Sequence, residues 1–116
     1  RRDLDFVAQL EDLRGIKVLW NPAEDDGKPK PPGWFAKSID FAIPAMALPR
    51  GRVAVVCCDG NNRAPSTALA ILMAQGLSFD AALAMVRSAR PGSDVAYQGD
   101  VRAAVRELVW HYPAVE

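Results

Sequence analysis

The chain has 116 residues, with 14 basic and 14 acidic side chains and a formal net charge of zero. That length suits one domain with one core over residues 1–116, and the balanced charge offers no footprint for nucleic acid or an anionic membrane. Apolar runs such as Val53 to Cys58 and Ala68 to Ala74 are far shorter than the ~20 residues needed to span a bilayer, so a cytoplasmic protein is expected.

In chain order, Asp3 or Asp5 can cap a first helix in which Leu4, Val7, Leu10 and Leu13 share a face, and Gly15 stops it. Ile16 to Trp20 is a short β-rich run and is predicted as a buried strand. Asn21 to Gly33 is a long loop, rich in proline, with an acidic cluster at Glu24, Asp25 and Asp26. A loop of that size in a small domain commonly carries function. Trp34 to Leu48 returns to helical periodicity, with Phe35, Ile39, Ala42, Ile43 and Met46 on one stripe and Pro44 positioned to kink it. Trp34 and Phe35 are expected in the core.

After a turn at Pro49-Arg50-Gly51, Arg52 to Val56 is the strongest predicted strand, its unbroken apolar run suiting a central parallel position. Three helices are expected to follow. One places Pro65 in its first turn and ends at Gly76. The next is capped by Ser78 and runs from Phe79 to about Arg90. The last starts at or before Asp100 and turns Val101, Ala104, Val105, Leu108 and Val109 to one side. This order predicts an α/β fold, a central mainly parallel sheet flanked by helices. Only two strands are legible, and a two-stranded sheet is marginal alone. Further strands are therefore expected, either elsewhere in the sequence without a clear signal or outside the chain.

Cys57 and Cys58 are adjacent, so no disulfide framework is possible and a reducing compartment is expected. His111 is the only histidine, far from the cysteines, and no metal site or cofactor is expected. The chemistry concentrates between Cys57 and Arg63, where five residues separate a predicted strand from a predicted helix. Cys58, Asp59, Gly60, Asn61 and Asn62 must curl tightly, turning successive backbone N–H groups inward as a nest for an anion. The positive end of the following helix adds to that field, and the Arg63 guanidinium presents a fork suited to two phosphate oxygens. A thiol at the rim of such a nest is favoured as thiolate, placed for in-line attack on phosphorus.

Cys57, Gly60 and Arg63 resemble the Cys-x5-Arg signature of protein tyrosine and dual-specificity phosphatases, in the form Cys-x-x-Gly-x-x-Arg and as found in compact bacterial-type catalytic domains. Leu72 to Ser78, Ala81-Ala82 and Val86 to Pro91 resemble the helical region after the signature. Trp34-Phe35 to Asp40-Phe41 and Gly51-Arg52-Val53 resemble the helix and strand before it, so the likeness covers roughly residues 15 to 110. It implies a phosphomonoesterase acting through a Cys57 phosphothiol intermediate, with Cys58, Asp59, Gly60, Asn61, Asn62 and Arg63 forming the substrate loop. It also implies a general-acid aspartate about thirty residues before the nucleophile. Asp25 and Asp26 lie 32 and 31 residues before Cys57; the count favours Asp25 and holds Asp26 in reserve. The family has strands before Ile16 to Trp20, so a domain cut short at its N-terminus is expected.

The implied partner is a phosphorylated protein or a small phosphomonoester, with phosphate or sulfate able to occupy the loop and the protein acting as a monomer. Phosphotyrosine, phosphoserine, phosphothreonine and glucan all remain open as substrates. Two departures weigh against full turnover: Val56 stands where the family usually has His, and Ala64 where it usually has Ser or Thr. They motivate an alternative, a catalytically weak pseudophosphatase that binds phosphorylated ligands. A rhodanese-like sulfurtransferase is a third class, disfavoured because its loops are typically one residue shorter.

Overall fold

A computed structural model of the chain describes Glu11 and residues 15–57 and 62–108. Of the predicted first helix only Glu11, itself helical, falls within these residues; the last residues of the terminal helix lie outside them, as do Cys58, Asp59, Gly60, Asn61 and His111.

Four helices carry the described fold: α1 (Pro32–Ala47), α2 (Arg63–Ala74), α3 (Phe79–Ala89) and α4 (Gln98–Leu108). Pro32 opens α1, where its missing N–H costs nothing and its fixed φ suits the first turn. Phe35, Ile39 and Ala42 of α1 are buried at helical spacing, and the helix runs past Pro44 for only three residues. The turn that follows returns the Gly51 amide to the Leu48 carbonyl at 2.8 Å. A Cβ at position 51 would overlap the Ala45 carbonyl oxygen, so that turn requires glycine.

Helix α2 is buried on most of its circumference, from Ala64 to Thr67 and then Leu69, Ala70, Ile71 and Ala74. It packs against all three other helices, which is why its sequence is apolar nearly all round. Gly76, at φ 108°, reverses the chain and sends its N–H back to Met73. Ser78 then caps α3, its Oγ accepting the Ala81 amide at 3.2 Å. Val101 and Ala104 of α4 meet Phe35, Ile39 and Leu69 in one core that Val95 and Tyr97 complete.

The predicted α/β sheet is not present: among the described residues there is no strand, and the architecture is all-helical. Neither Ile16 to Trp20 nor Arg52 to Val56 joins a backbone ladder. β-Rich composition expresses fit to a pleated, neighboured surface more than an intrinsic backbone preference, and without a ladder partner these runs form no strand. Ile16, Leu19 and Trp20 remain partly exposed, and Val56 is 84% exposed. The second run does keep a strand-like period of two. Val53, Val55 and Cys57 are half-buried while Arg52, Ala54 and Val56 face solvent. Val53 and Val55 rest on the helical core, so only one side of this segment is covered, where the sequence suggested two. Among the described residues, no helix is long and apolar enough to cross a membrane.

Candidate functional site

The period of two along residues 51–57 sets Cys57 on the same side as Val53 and Val55, toward the core. There its thiol meets the start of α2: the Ala64 N–H donates to Cys57 Sγ at 3.3 Å. The first amides of a helix have no partner within the helix, and their dipole favours negative charge. Asn62, the residue before α2, makes no side-chain bond to that helix. The cysteine sulfur takes one of the amides instead.

Arg63 begins α2 and turns its guanidinium to the proline-rich loop, Nη1 donating to the Ala23 carbonyl at 2.7 Å. Its Nε is buried with no hydrogen-bond partner, as is Ser66 Oγ one turn further along. A buried donor left without a partner costs about 1–3 kcal/mol, and more when charged. The Nε edge of Arg63 is therefore an unmet donor at the start of α2.

The acidic loop reaches the same helix start by a second route. Asn62 Nδ2 donates to Asp25 Oδ2 at 3.4 Å, and the Ala96 amide donates to Asn62 Oδ1 at 3.1 Å. Asp25 Oδ1 accepts the Tyr97 hydroxyl at 2.8 Å, and that hydroxyl accepts the Gly27 amide at 3.1 Å. Gly27 sits at φ 72°, a conformation that favours glycine and lets the loop turn under Tyr97.

Asp26 has different partners. Its Oδ1 accepts the Lys30 ammonium at 2.8 Å and the Lys28 amide at 2.9 Å. The Lys30 hydrogen bond, aided by the Lys28 amide, holds the Asp26 carboxyl below its usual range, and Asp26 in turn raises Lys30. Lys30 also lies 4.9 Å from the centre of the Tyr97 ring, and its backbone amide donates to Asp100. The loop is thus latched to α4 through Lys30, to α2 through Arg63 and Asn62, and to Tyr97 through Asp25 and Gly27.

Of the residues singled out in the sequence, Asp25, Cys57, Asn62 and Arg63 converge on the start of α2. Asp26 is on the same loop but engaged with lysine. Cys58, Asp59, Gly60 and Asn61, the remainder of the expected anion loop, lie outside the described residues. Trp34 and Phe35 serve packing: Phe35 is fully buried, and Trp34 stands edge-on to it while its Nε1 ties down Asn21 and Pro22. Tyr97 was not legible as a site residue. No motif surrounds it, and its role depends on a contact across 72 residues. Among the described residues, no group of three or more His, Cys, Asp or Glu side chains is arranged to hold a metal ion. No protein-family model matches the chain, and no solved structure matches it.

Proposed function

We propose that the chain is a cysteine-dependent phosphomonoesterase of the protein tyrosine or dual-specificity type, with Cys57 as nucleophile, Arg63 as phosphate clamp and Asp25 as general acid. The observation that carries this reading is the meeting of three chemically distinct groups, from positions 25, 57 and 63, at one helix start. Nucleophile, anion-binding fork and proton donor are the minimum set for transfer of a phosphoryl group to sulfur.

In the first step Cys57 Sγ attacks phosphorus in line, the sulfur–phosphorus bond forms and the bond to the leaving oxygen breaks. Asp25 gives that oxygen its proton. In the second step water attacks phosphorus, Asp25 takes the water's proton, and the sulfur–phosphorus bond breaks to release phosphate and the thiolate. Arg63 uses its Nε edge, with the amides of Cys58 to Asn62, to hold the non-bridging oxygens as charge redistributes over them. That clamp supplies the neutralisation a metal would otherwise give, so the proposed chemistry calls for no metal or cofactor. Asp25 is preferred to Asp26 because a carboxyl held ionised by lysine is a poor proton donor near neutral pH. Chemistry that needs a Cys57 thiolate suits a reducing, cytoplasmic setting. The substrate is a phosphorylated protein or a small phosphomonoester, and one copy of the chain holds every group named.

Ala64 favours a second reading, a phosphate-binding module of low turnover. It offers Cys57 its amide but has no hydroxyl to help the thiolate leave phosphorus. Hydrolysis of p-nitrophenyl phosphate between about pH 5 and 7 by the wild type and by Cys57→Ser separates the readings. Turnover in the wild type that disappears in Cys57→Ser supports the enzyme. Phosphate binding by calorimetry without turnover supports the module, and turnover that survives Cys57→Ser refutes the mechanism.

A further inference from the structure

We infer that Tyr97 is the positioning residue for the general acid, and that it selects which oxygen of Asp25 carries the proton. The inference rests on the phosphomonoesterase reading and adds to it a residue from outside both the signature loop and the acidic loop. Tyr97 is 2% exposed, so its ring is fixed by the core and its hydroxyl has few places to point. The hydroxyl spends its proton on Asp25 Oδ1 at 2.8 Å and one lone pair on the Gly27 amide at 3.1 Å. Its orientation is set from both sides, and the phenol acts as a rigid post under the acidic loop.

The two oxygens of Asp25 are therefore unequal. Oδ1 receives a short hydrogen bond from a buried donor, whereas Oδ2 has a longer contact of 3.4 Å with Asn62. A proton on Oδ1 would weaken that oxygen as the acceptor of the Tyr97 hydroxyl, whose geometry Gly27 also holds. A proton on Oδ2 weakens only the longer contact. Oδ2 is also the oxygen on the side of Asn62, next to Arg63 at the start of α2. During leaving-group departure the Oδ2 proton passes to the ester oxygen, and the carboxylate that remains keeps the Tyr97 bond on Oδ1. In the second step Oδ2 recovers a proton from the attacking water. Tyr97 neither gains nor loses a proton in either step, so it acts through Asp25 alone.

The test compares Tyr97→Phe with the wild type on two substrates, phenyl phosphate and p-nitrophenyl phosphate. The first leaving group needs a proton as its bond breaks; the second departs readily without one. Tyr97→Phe should lower kcat on phenyl phosphate by roughly tenfold or more and on p-nitrophenyl phosphate by less than about threefold, with KM unchanged on both. Asp25→Asn should show the same selectivity, and adding Tyr97→Phe to it should cost nothing further. Equal loss on both substrates, no loss on either, or additive losses in the double variant would overturn the inference while leaving the enzyme reading in place. Absence of wild-type hydrolysis, or activity that survives Cys57→Ser, would instead overturn both. Thermal melting checks that Tyr97→Phe is folded. Should it fail to fold, 3-fluorotyrosine at position 97 retains the buried hydroxyl and strengthens it as a donor. The ratio of rates on the two substrates should then shift from the wild-type value, and an unchanged ratio would overturn the inference.

Discussion

Replacing Arg63 by lysine keeps the positive charge at the start of α2 and removes the planar fork. In the structure Nη1 is committed to the Ala23 carbonyl at 2.7 Å, which leaves the buried Nε edge to face an anion. A lysine ammonium has one nitrogen to divide between those two duties. If it serves the anion, it supplies one charge-assisted hydrogen bond where arginine supplies two. The missing bond is worth about 1.5–3 kcal/mol, which is roughly ten- to 150-fold in kcat/KM. Loss of the Ala23 tether costs a further ~1 kcal/mol of stability, about 4 °C in Tm for a chain of this length. Initial rates on p-nitrophenyl phosphate and a melting curve on the same preparation measure the two effects separately. An Arg63→Lys variant whose kcat/KM stays within about twofold of wild type would refute the argument, because charge alone would then do the work assigned to the fork.

Two further predictions concern the scaffold. The Asp26 carboxyl is held below its usual 3.8 chiefly by the Lys30 ammonium, so this pair stabilises the fold above that pH and loses its contribution as pH falls through the lowered value. Lys30 is raised above its usual 10.5 chiefly by Asp26, so at the alkaline end the contribution is complete below that pH and is lost as pH rises through the raised value. Melting temperatures taken from about pH 6 down to about pH 2.5 should therefore fall less steeply for Asp26→Asn than for the wild type; parallel profiles would show that the pair contributes nothing measurable. Ser78→Ala removes the acceptor of the Ala81 amide and should cost about 1 kcal/mol, read as a Tm lowered by roughly 4 °C with catalytic rates unchanged.

Local chemistry made much of this protein readable. Helices α1, α2 and α3 follow from apolar spacing and from residues that start and stop helices: Pro65, Ser78 and Gly76 act within a few positions of where they stand, whereas Pro32, assigned to the loop, opens α1. Cys57 and Arg63 were legible together because their relation is a short spacing, and the chain between them can curl in few ways. The acidic loop was legible from its prolines and its distance to Cys57, but a count of residues could only rank Asp25 above Asp26.

The rest depends on what lies across the fold. Arg52 to Val56 has the composition of a strand, yet a strand exists only with a neighbour, and no sequence-local signal reports whether one is in reach. The helical core covers one side of that segment and leaves Val56 exposed, which corrects the sheet while still turning Cys57 toward α2. The difference in surroundings between the two aspartates is likewise set partly by distant residues. Lys30 takes Asp26 from four residues away, and Asn62 and Tyr97 take Asp25 from 37 and 72 residues away. Helix starts, helix stops and the side chains able to do chemistry are all written in neighbouring residues. Which of those side chains meet is a property of the packed chain, because hydrogen bonds between distant residues form where the core brings their backbones together.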